Sequence, residues 1–249
     1  MNWNLQDRNQ KAGNESEGLN KSQTLIQEAY QKIKQMILDQ KFVPGQRLIN
    51  KDLGELLHMS RTPIINALNR LVQDGFVGCE NFRGFYVKPI DIQEVWDAFG
   101  VREALEVYAV GQAIIKGDEQ DMILLEDKLR RHREYTPHYY TRKKFLLDSE
   151  FHLQIAEMAK NRVLKWLLKR NFEHIFLRTR LDNYDPGRMA TSAKEHQELV
   201  QRMKMKDILG GVEILRNHIQ RARDQVINIL SIEEAGESGD LFEAGGSHD

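Results

Sequence analysis

The chain has 249 residues, 41% hydrophobic and 29% charged, with 36 Lys and Arg against 37 Asp and Glu, for a formal net charge of −1. This length and apolar content suit two modest domains, and no run of about 18 uncharged apolar residues is available for a membrane span. Cys79 is the only cysteine, which excludes an intramolecular disulfide framework and fits a reducing, cytoplasmic setting, and the N-terminus lacks the basic start and apolar block of a secretory signal.

Residues 1–22 are polar and rich in Asn, Gln, Gly, Lys and Ser, and are expected to form a disordered lead. Residues 25–40 have the spacing of an amphipathic helix, closed by Phe42-Val43-Pro44-Gly45. From Leu48 to Gly75 the pattern is two short helices broken at His58-Met59-Ser60. Leu53, Leu56 and Leu57 form an apolar face on the first. Ile64, Ala67, Leu68 and Leu71 do so on the second. Ser60 suits an N-cap whose hydroxyl accepts an orphan backbone N–H. Pro63 falls in the first turn, where its missing N–H costs little, and Gly75 stops the helix. Two helices joined this tightly have the outline of a helix-turn-helix.

Residues 76–80 and 84–88 then read as two strands around a turn at Asn81-Phe82-Arg83-Gly84. That is a wing, a β-hairpin with a cation and a glycine at its tip. A recognition helix reads base edges with its first turns, which assigns Arg61, Thr62 and Asn66 to DNA, with Asn69 as a further candidate. Arg can grip guanine, and Asn can grip adenine, in a bidentate way. Lys51 opens the preceding helix, near the DNA backbone or groove edge, while Arg83 and Gly84 would reach the minor groove or phosphates. A lone arginine is usually a solvated surface charge; it is the complete motif that favours a role for Arg61. The near-zero net charge hides a partition, because the tail from Ile232 has no Lys or Arg and the winged segment carries a modest positive balance.

Residues 23–90 resemble the winged helix-turn-helix of the GntR transcription-factor family. The Pro44-Gly45-x-x-Leu48 turn, Ser60-Arg61-Thr62-Pro63, the Ala67-Leu68-x-x-Leu71 run, the Asp74-Gly75 stop and the Arg83-Gly84 wing sit in family order. The resemblance implies an arginine where Ile65 stands, so Asn66 or Arg70 is the candidate to compensate. Lys51 stands where many relatives have arginine; lacking the bidentate fork, it is expected to contact phosphate.

Pro89-Ile90-Asp91 is the expected hinge. Residues 92–116, 119–133, 138–160, 163–182, 188–205 and 208–231 show only helical periodicity, which predicts an all-helical bundle over 91–231 and a mostly α protein. Residues 232–249, acidic and dotted with glycine, are expected to be a flexible tail.

The bundle carries a second constellation. Asp148 and His152, four apart, project from one helix face. His196 and His218 lie within two later helices. Three imidazoles and a carboxylate suit a divalent transition metal, zinc first, with nickel, manganese or iron also chemically possible. Each histidine alone is more often a hydrogen-bonded core or surface residue. The segment is similar to the FCD effector domain of the FadR subfamily, through Val101-Arg102-x-x-Leu105-Glu106, Asp148-x-x-x-His152, Ala159-x-Asn161, His196 and His218. The resemblance implies that Asp148, His152, His196 and His218 hold a metal at the base of a pocket for small carboxylates. Arg102 then either clamps that anion or pairs with Glu103 or Glu106. Arg178 and Arg180 are weaker candidates. His58, His132, His138, His174 and His248 match no ligand position and are read as structural or exposed. Trp96, Trp166 and Phe176 are read as core or interface.

These features predict a ligand-responsive, DNA-binding transcriptional regulator, not an enzyme. It would bind a near-palindromic double-stranded operator as a homodimer, with a small organic acid as effector and no membrane partner. The alternatives are a metallohydrolase fused to a winged domain and a repressor that senses the metal itself.

Overall fold

The computed structural model describes residues 23–177 and 186–243, and the chain divides into two compact units at the Pro89–Ile90 junction. The expected disordered lead, Arg178, Arg180 and His248 lie outside the described residues.

The first unit contains α1 (23–38), β1 (Arg47–Leu48), α2 (Asn50–Leu57), α3 (Arg61–Gln73), β2 (Val77–Glu80) and β3 (Gly84–Val87). Ile33, Ile64, Ala67, Leu68 and Leu71 are fully buried and Leu53 and Phe76 nearly so, forming one small core. Each large aliphatic side chain removed from water there contributes roughly 1.5–3 kcal/mol. Tyr30 ties α1 to the end of α3, its hydroxyl donating to Asp74 Oδ2 at 2.6 Å. Gly75, at φ +76°, ends α3 in a Schellman turn: its N–H reaches Val72 O and that of Phe76 reaches Leu71 O, both at 3.0 Å. Between α2 and α3, His58 adopts the left-handed conformation at φ 54°. A Cβ on Gly54 would stand 3.0 Å from Met59 O, so that turn closes against bare backbone.

Three expectations for this unit need correction. Ser60 occupies the N-cap position, but its side chain makes no capping bond. Leu56 is exposed, because α2 contributes chiefly Leu53 to the core. The sheet has three strands, in the order β1-β3-β2, all antiparallel. Two-residue β1, with Arg47 opposite Tyr86 and Leu48 opposite Phe85, is too short to leave a period-2 signal.

The second unit is helical: α4 (Ile92–Lys116), α5 (Glu119–Glu134), α6 (Arg142–Met158), α7 (Arg162–Leu177), α8 (Pro186–Lys204) and α9 (Ile208–Glu243). Helix α4 packs on α6, α7 and α9, and α8 on α5 and α9. Asp91 and Thr141 cap α4 and α6, accepting from Gln93 N at 2.8 Å and Lys144 N at 3.1 Å. Asp118 forms a reciprocal capping box with Asp121 at the start of α5. Helix α6 therefore begins at Arg142, not at residue 138, since Thr141 already terminates it in extended backbone. Helix α9 runs on to Glu243, past the expected end at 231 and into the segment expected to be a flexible tail.

Candidate functional site

Among the described residues, five helices of the second unit deliver polar side chains to one buried point. Asp148 and His152 stand one turn apart on α6, His196 comes from α8 and His218 from α9, and all four are buried. Each offers one donor atom, and these four atoms lie within 4.8 Å of one another. His196 Nε2 is 3.3 Å from His218 Nε2 and 3.5 Å from Asp148 Oδ1, and His152 Nε2 is 3.7 Å from Asp148 Oδ2. Ligands of a tetrahedral ion bound at ~2.0–2.1 Å sit roughly 3.3 Å apart, so the set can close on one ion with small side-chain movements.

Two carboxylates stand behind the imidazoles. Glu106 Oε2, from α4, is 2.5 Å from His152 Nδ1, and Glu195 Oε2, beside His196 on α8, is 2.7 Å from His218 Nδ1. Burial alone would raise the Glu106 carboxyl; the facing His152 and Arg102 outweigh it and hold the group at about 2. Glu195 is lowered too, burial being overcome by His218 and Arg188. Both carboxylates are ionised and can only accept, so His152 and His218 each donate an Nδ1–H to them and turn Nε2 toward the centre. Consistent with this, His152 Nε2 is buried and has no hydrogen-bond partner. Burial also pushes His196 well below 6.5 and brings His218 to about 4 despite its bond to Glu195. Burial opposes ionisation of Asp148, but His152, His132, His218 and Arg102 hold it well below the usual carboxylate range. Three imidazole nitrogens and a carboxylate oxygen converging on one point are a donor set that suits a divalent metal, so the residues present fit such an ion.

Arg102 is buried. Its Nε donates to Glu106 Oε1 at 2.6 Å, its guanidinium lies 4.7 Å from the Phe172 ring centroid, and its Nη2 is 3.9 Å from Asp148 Oδ2. The ion pair weighed for it thus exists with Glu106, whereas Glu103 bonds Arg216 and Gln220 instead. Arg102 Nη2 itself is buried without a hydrogen bond. It lines a cavity of about 30 Å³, together with His132, Lys144, Asp148, Arg188 and His218. That volume holds one or two waters. His132 was read as structural or exposed; it is buried beside the cluster, with Nε2 3.6 Å from Asp148 Oδ1 and its ring 4.8 Å from that of His196.

Glu195, Lys144 and Arg188 were not singled out from the sequence, Glu106 was weighed only as a partner of Arg102, and His132 matched no ligand position. Glu106 carried a signal, four residues after Arg102 on the same helix face, and Glu195 adjoins His196. The other three gave none. Phe176 is buried as expected, whereas Trp96 and Trp166 are substantially exposed.

In the first unit, Arg61, Thr62 and Asn66 are all exposed on α3, as are Lys51 on α2 and Arg83 on the wing. An open groove brings Lys51, Arg61 and Gly84 together with Arg47, which the sequence reading had not assigned to DNA. Gly84, at φ +74°, has a conformation that favours glycine. Arg83 lies over the Tyr86 ring at 4.3 Å and near Glu80 at 3.9 Å. Arg70 is exposed but turned back onto α1, stacked 4.5 Å over Tyr30 and donating to Gln27 Oε1 at 2.5 Å.

Residues 25–87 match the model for bacterial regulatory proteins of the gntR family, and residues 97–221 match the FCD domain. The chain is 28% identical over 180 residues to the uncharacterized HTH-type transcriptional regulator YdhC of Bacillus subtilis, covering 72% of this chain and 80% of YdhC. It is 26% identical over 195 residues to the Nta operon transcriptional regulator of Aminobacter aminovorans, covering 78% and 91%. Among solved structures, E. coli McbR/YncC superposes with a TM-score of 0.69 at 23% identity, covering 84% of this chain and 98% of that one, a likeness that shows the fold. These relatives are transcriptional regulators, not enzymes, which removes the metallohydrolase alternative. No helix among the described residues is long and apolar enough to cross a membrane. The chain belongs to the gntR family of bacterial regulatory proteins, as a ligand-responsive transcriptional regulator whose DNA-binding domain is followed by an FCD effector domain.

Proposed function

We propose that this regulator works in the cytoplasm as a homodimer on a near-palindromic operator, and that a small organic acid held at a divalent metal is its signal. The metal ligands are Asp148, His152, His196 and His218, and zinc suits the nitrogen-rich set best. The observation that carries this reading is the meeting of those four donor atoms within 4.8 Å, with Glu106 and Glu195 fixing two of the imidazoles from behind. When bound, the ion supplies a Lewis-acidic centre for a carboxylate. Arg102, whose Nη2 is buried and free of hydrogen bonds, supplies a donor beside it.

On the DNA side, Arg61, Thr62 and Asn66 read base edges. Lys51, Arg83 and Gly84 contact the backbone or the adjoining groove, and Arg70 acts through the packing of α1 on α3. Dimerisation is supported by Val101, Tyr108 and Ile115. These lie seven residues apart along one face of α4 and are half or more exposed, a stripe of apolar surface that a second copy would cover.

A second reading, in which the metal alone is the signal, is favoured by the smallness of the cavity. DNA-binding titrations on metal-stripped protein, zinc-loaded protein, and zinc-loaded protein with organic acids separate the two. An affinity that changes only when acid joins the metal supports the effector reading. One that changes fully with zinc alone supports the sensor. An effector can shift the equilibrium only by its differential affinity for the two states.

A further inference from the structure

Lys144 is 2% exposed. A buried ammonium normally has a carboxylate partner, because removing it from water is otherwise costly. Among the described residues, no carboxylate hydrogen-bonds Lys144, and Asp148 acts on it only through space: its Nζ donates to two main-chain carbonyls at the end of α5, His132 O at 2.6 Å and Tyr135 O at 3.2 Å. Those two bonds hold the ammonium in place at the wall of the cavity that Asp148, His218 and Arg102 also line. An ammonium has three N–H donors, so one remains for a ligand. On the same wall, His132 Nδ1 is buried with no hydrogen bond.

The charges around the cavity point the same way. Among the described residues, the cations Arg102, Lys144 and Arg188 around the cavity are matched in number by Glu106, Asp148 and Glu195. Arg221, at the surface, adds a further cation against Glu195. A divalent ion added to a balanced set leaves an excess of two positive charges in a low-dielectric site, which a single carboxylate only half neutralises.

We infer that the effector is a short dianion, such as a dicarboxylate, with one anionic group at the metal and Arg102 and the second received by Lys144, with His132 Nδ1 as a further hydrogen-bonding group. The inference rests on the metal-and-acid reading above. The small cavity restricts the ligand to a few carbons and requires side chains to move as it enters.

Malonate and propionate have three carbons each and differ in charge, so they make a matched pair of probes. Calorimetric titration of the zinc-loaded full-length chain should give a malonate affinity roughly tenfold or more above that of propionate, as expected for one added charge-assisted contact. Lys144→Gln should collapse that ratio without reducing zinc content, and Lys144→Arg should keep it. Equal affinities for the two acids in the unaltered protein, or an unchanged ratio in Lys144→Gln, would overturn the inference; the first needs no variant to fold. Metal-stripped protein separates the two layers. If both acids require zinc and bind equally well, the metal-and-acid reading stands and the dianion inference falls. If malonate is preferred through Lys144 with or without zinc, the inference stands and the metal-held reading falls.

Discussion

His152 Nδ1 lies 2.5 Å from Glu106 Oε2, while Glu106 Oε1 accepts from Arg102 Nε at 2.6 Å. One carboxylate on α4 therefore orients a candidate metal ligand from α6 and an anion-binding candidate from its own helix. Glu106→Gln keeps the shape but removes the charge. It should weaken zinc binding by roughly 10–100-fold, as loss of an outer-shell partner typically does. Competition against a chelator of known affinity measures this; an unchanged zinc affinity would show that His152 needs no help from Glu106.

The buried imidazoles give the metal-free protein a pH signature. His132 and His218 stand at about 4 in the folded chain against an ordinary 6.5, burial being the largest cause. Between those values the unfolded chain takes up protons that the folded chain refuses. Stability is therefore complete above about pH 6.5 and falls as the pH drops toward 4, by up to about 1.4 kcal/mol per pH unit for each histidine. Glu106, at about 2 against 4.5, adds its own loss only below about pH 4.5. Denaturant titrations of chelator-treated protein across this range should show the decline. A flat profile would mean the imidazoles are not held neutral.

On the operator side, two arginines of α3 should separate. Arg61 opens the helix, exposed in the groove with Lys51 and Gly84. Its replacement by Ala should cost ~1–3 kcal/mol of specific binding and erase the footprint. Arg70 is occupied by Tyr30 and Gln27. Arg70→Ala should chiefly lower the melting temperature, through loss of a contact worth ~0.5–1 kcal/mol, with a smaller change in DNA affinity. Equal losses of affinity in the two variants would place Arg70 on the DNA as well.

Leu68 is fully buried at the centre of the first unit's core. Leu68→Ala should destabilise that unit by roughly 2–5 kcal/mol and reduce DNA binding through unfolding, while zinc binding by the second unit persists. Loss of zinc binding in this variant would show that the two units unfold together.

What could be read from the chain follows from the range of each signal. Helical periodicity and caps act within a few residues, so α2, α3 and the bundle helices stood out, as did Asp148 and His152 one turn apart. The break at Gly75 was legible for the same reason. Glu106 with His152, Glu195 with His218, and His132 with Asp148 are joined only by the packing of separate helices, and no local spacing encodes that. His132 looked ordinary because its neighbours in sequence are charged surface residues; only the approach of α6 and α8 buries it. Strand β1 was missed because pairing with β3 alone defines it. Ser60 was expected to cap through its side chain on residue preference, yet it reaches the extended N-cap backbone without a capping bond.

In the proposed site, Asp148, His152, His196 and His218 share one divalent ion. Titrating zinc into chelator-treated full-length protein, with metal content measured after removal of free ion, tests it most directly. One tightly bound ion per chain is expected in the unaltered protein, with its loss in both His152→Ala and His218→Ala while the helical fold is retained. A chain that takes up no zinc, or variants that bind it as well as the parent, would contradict it.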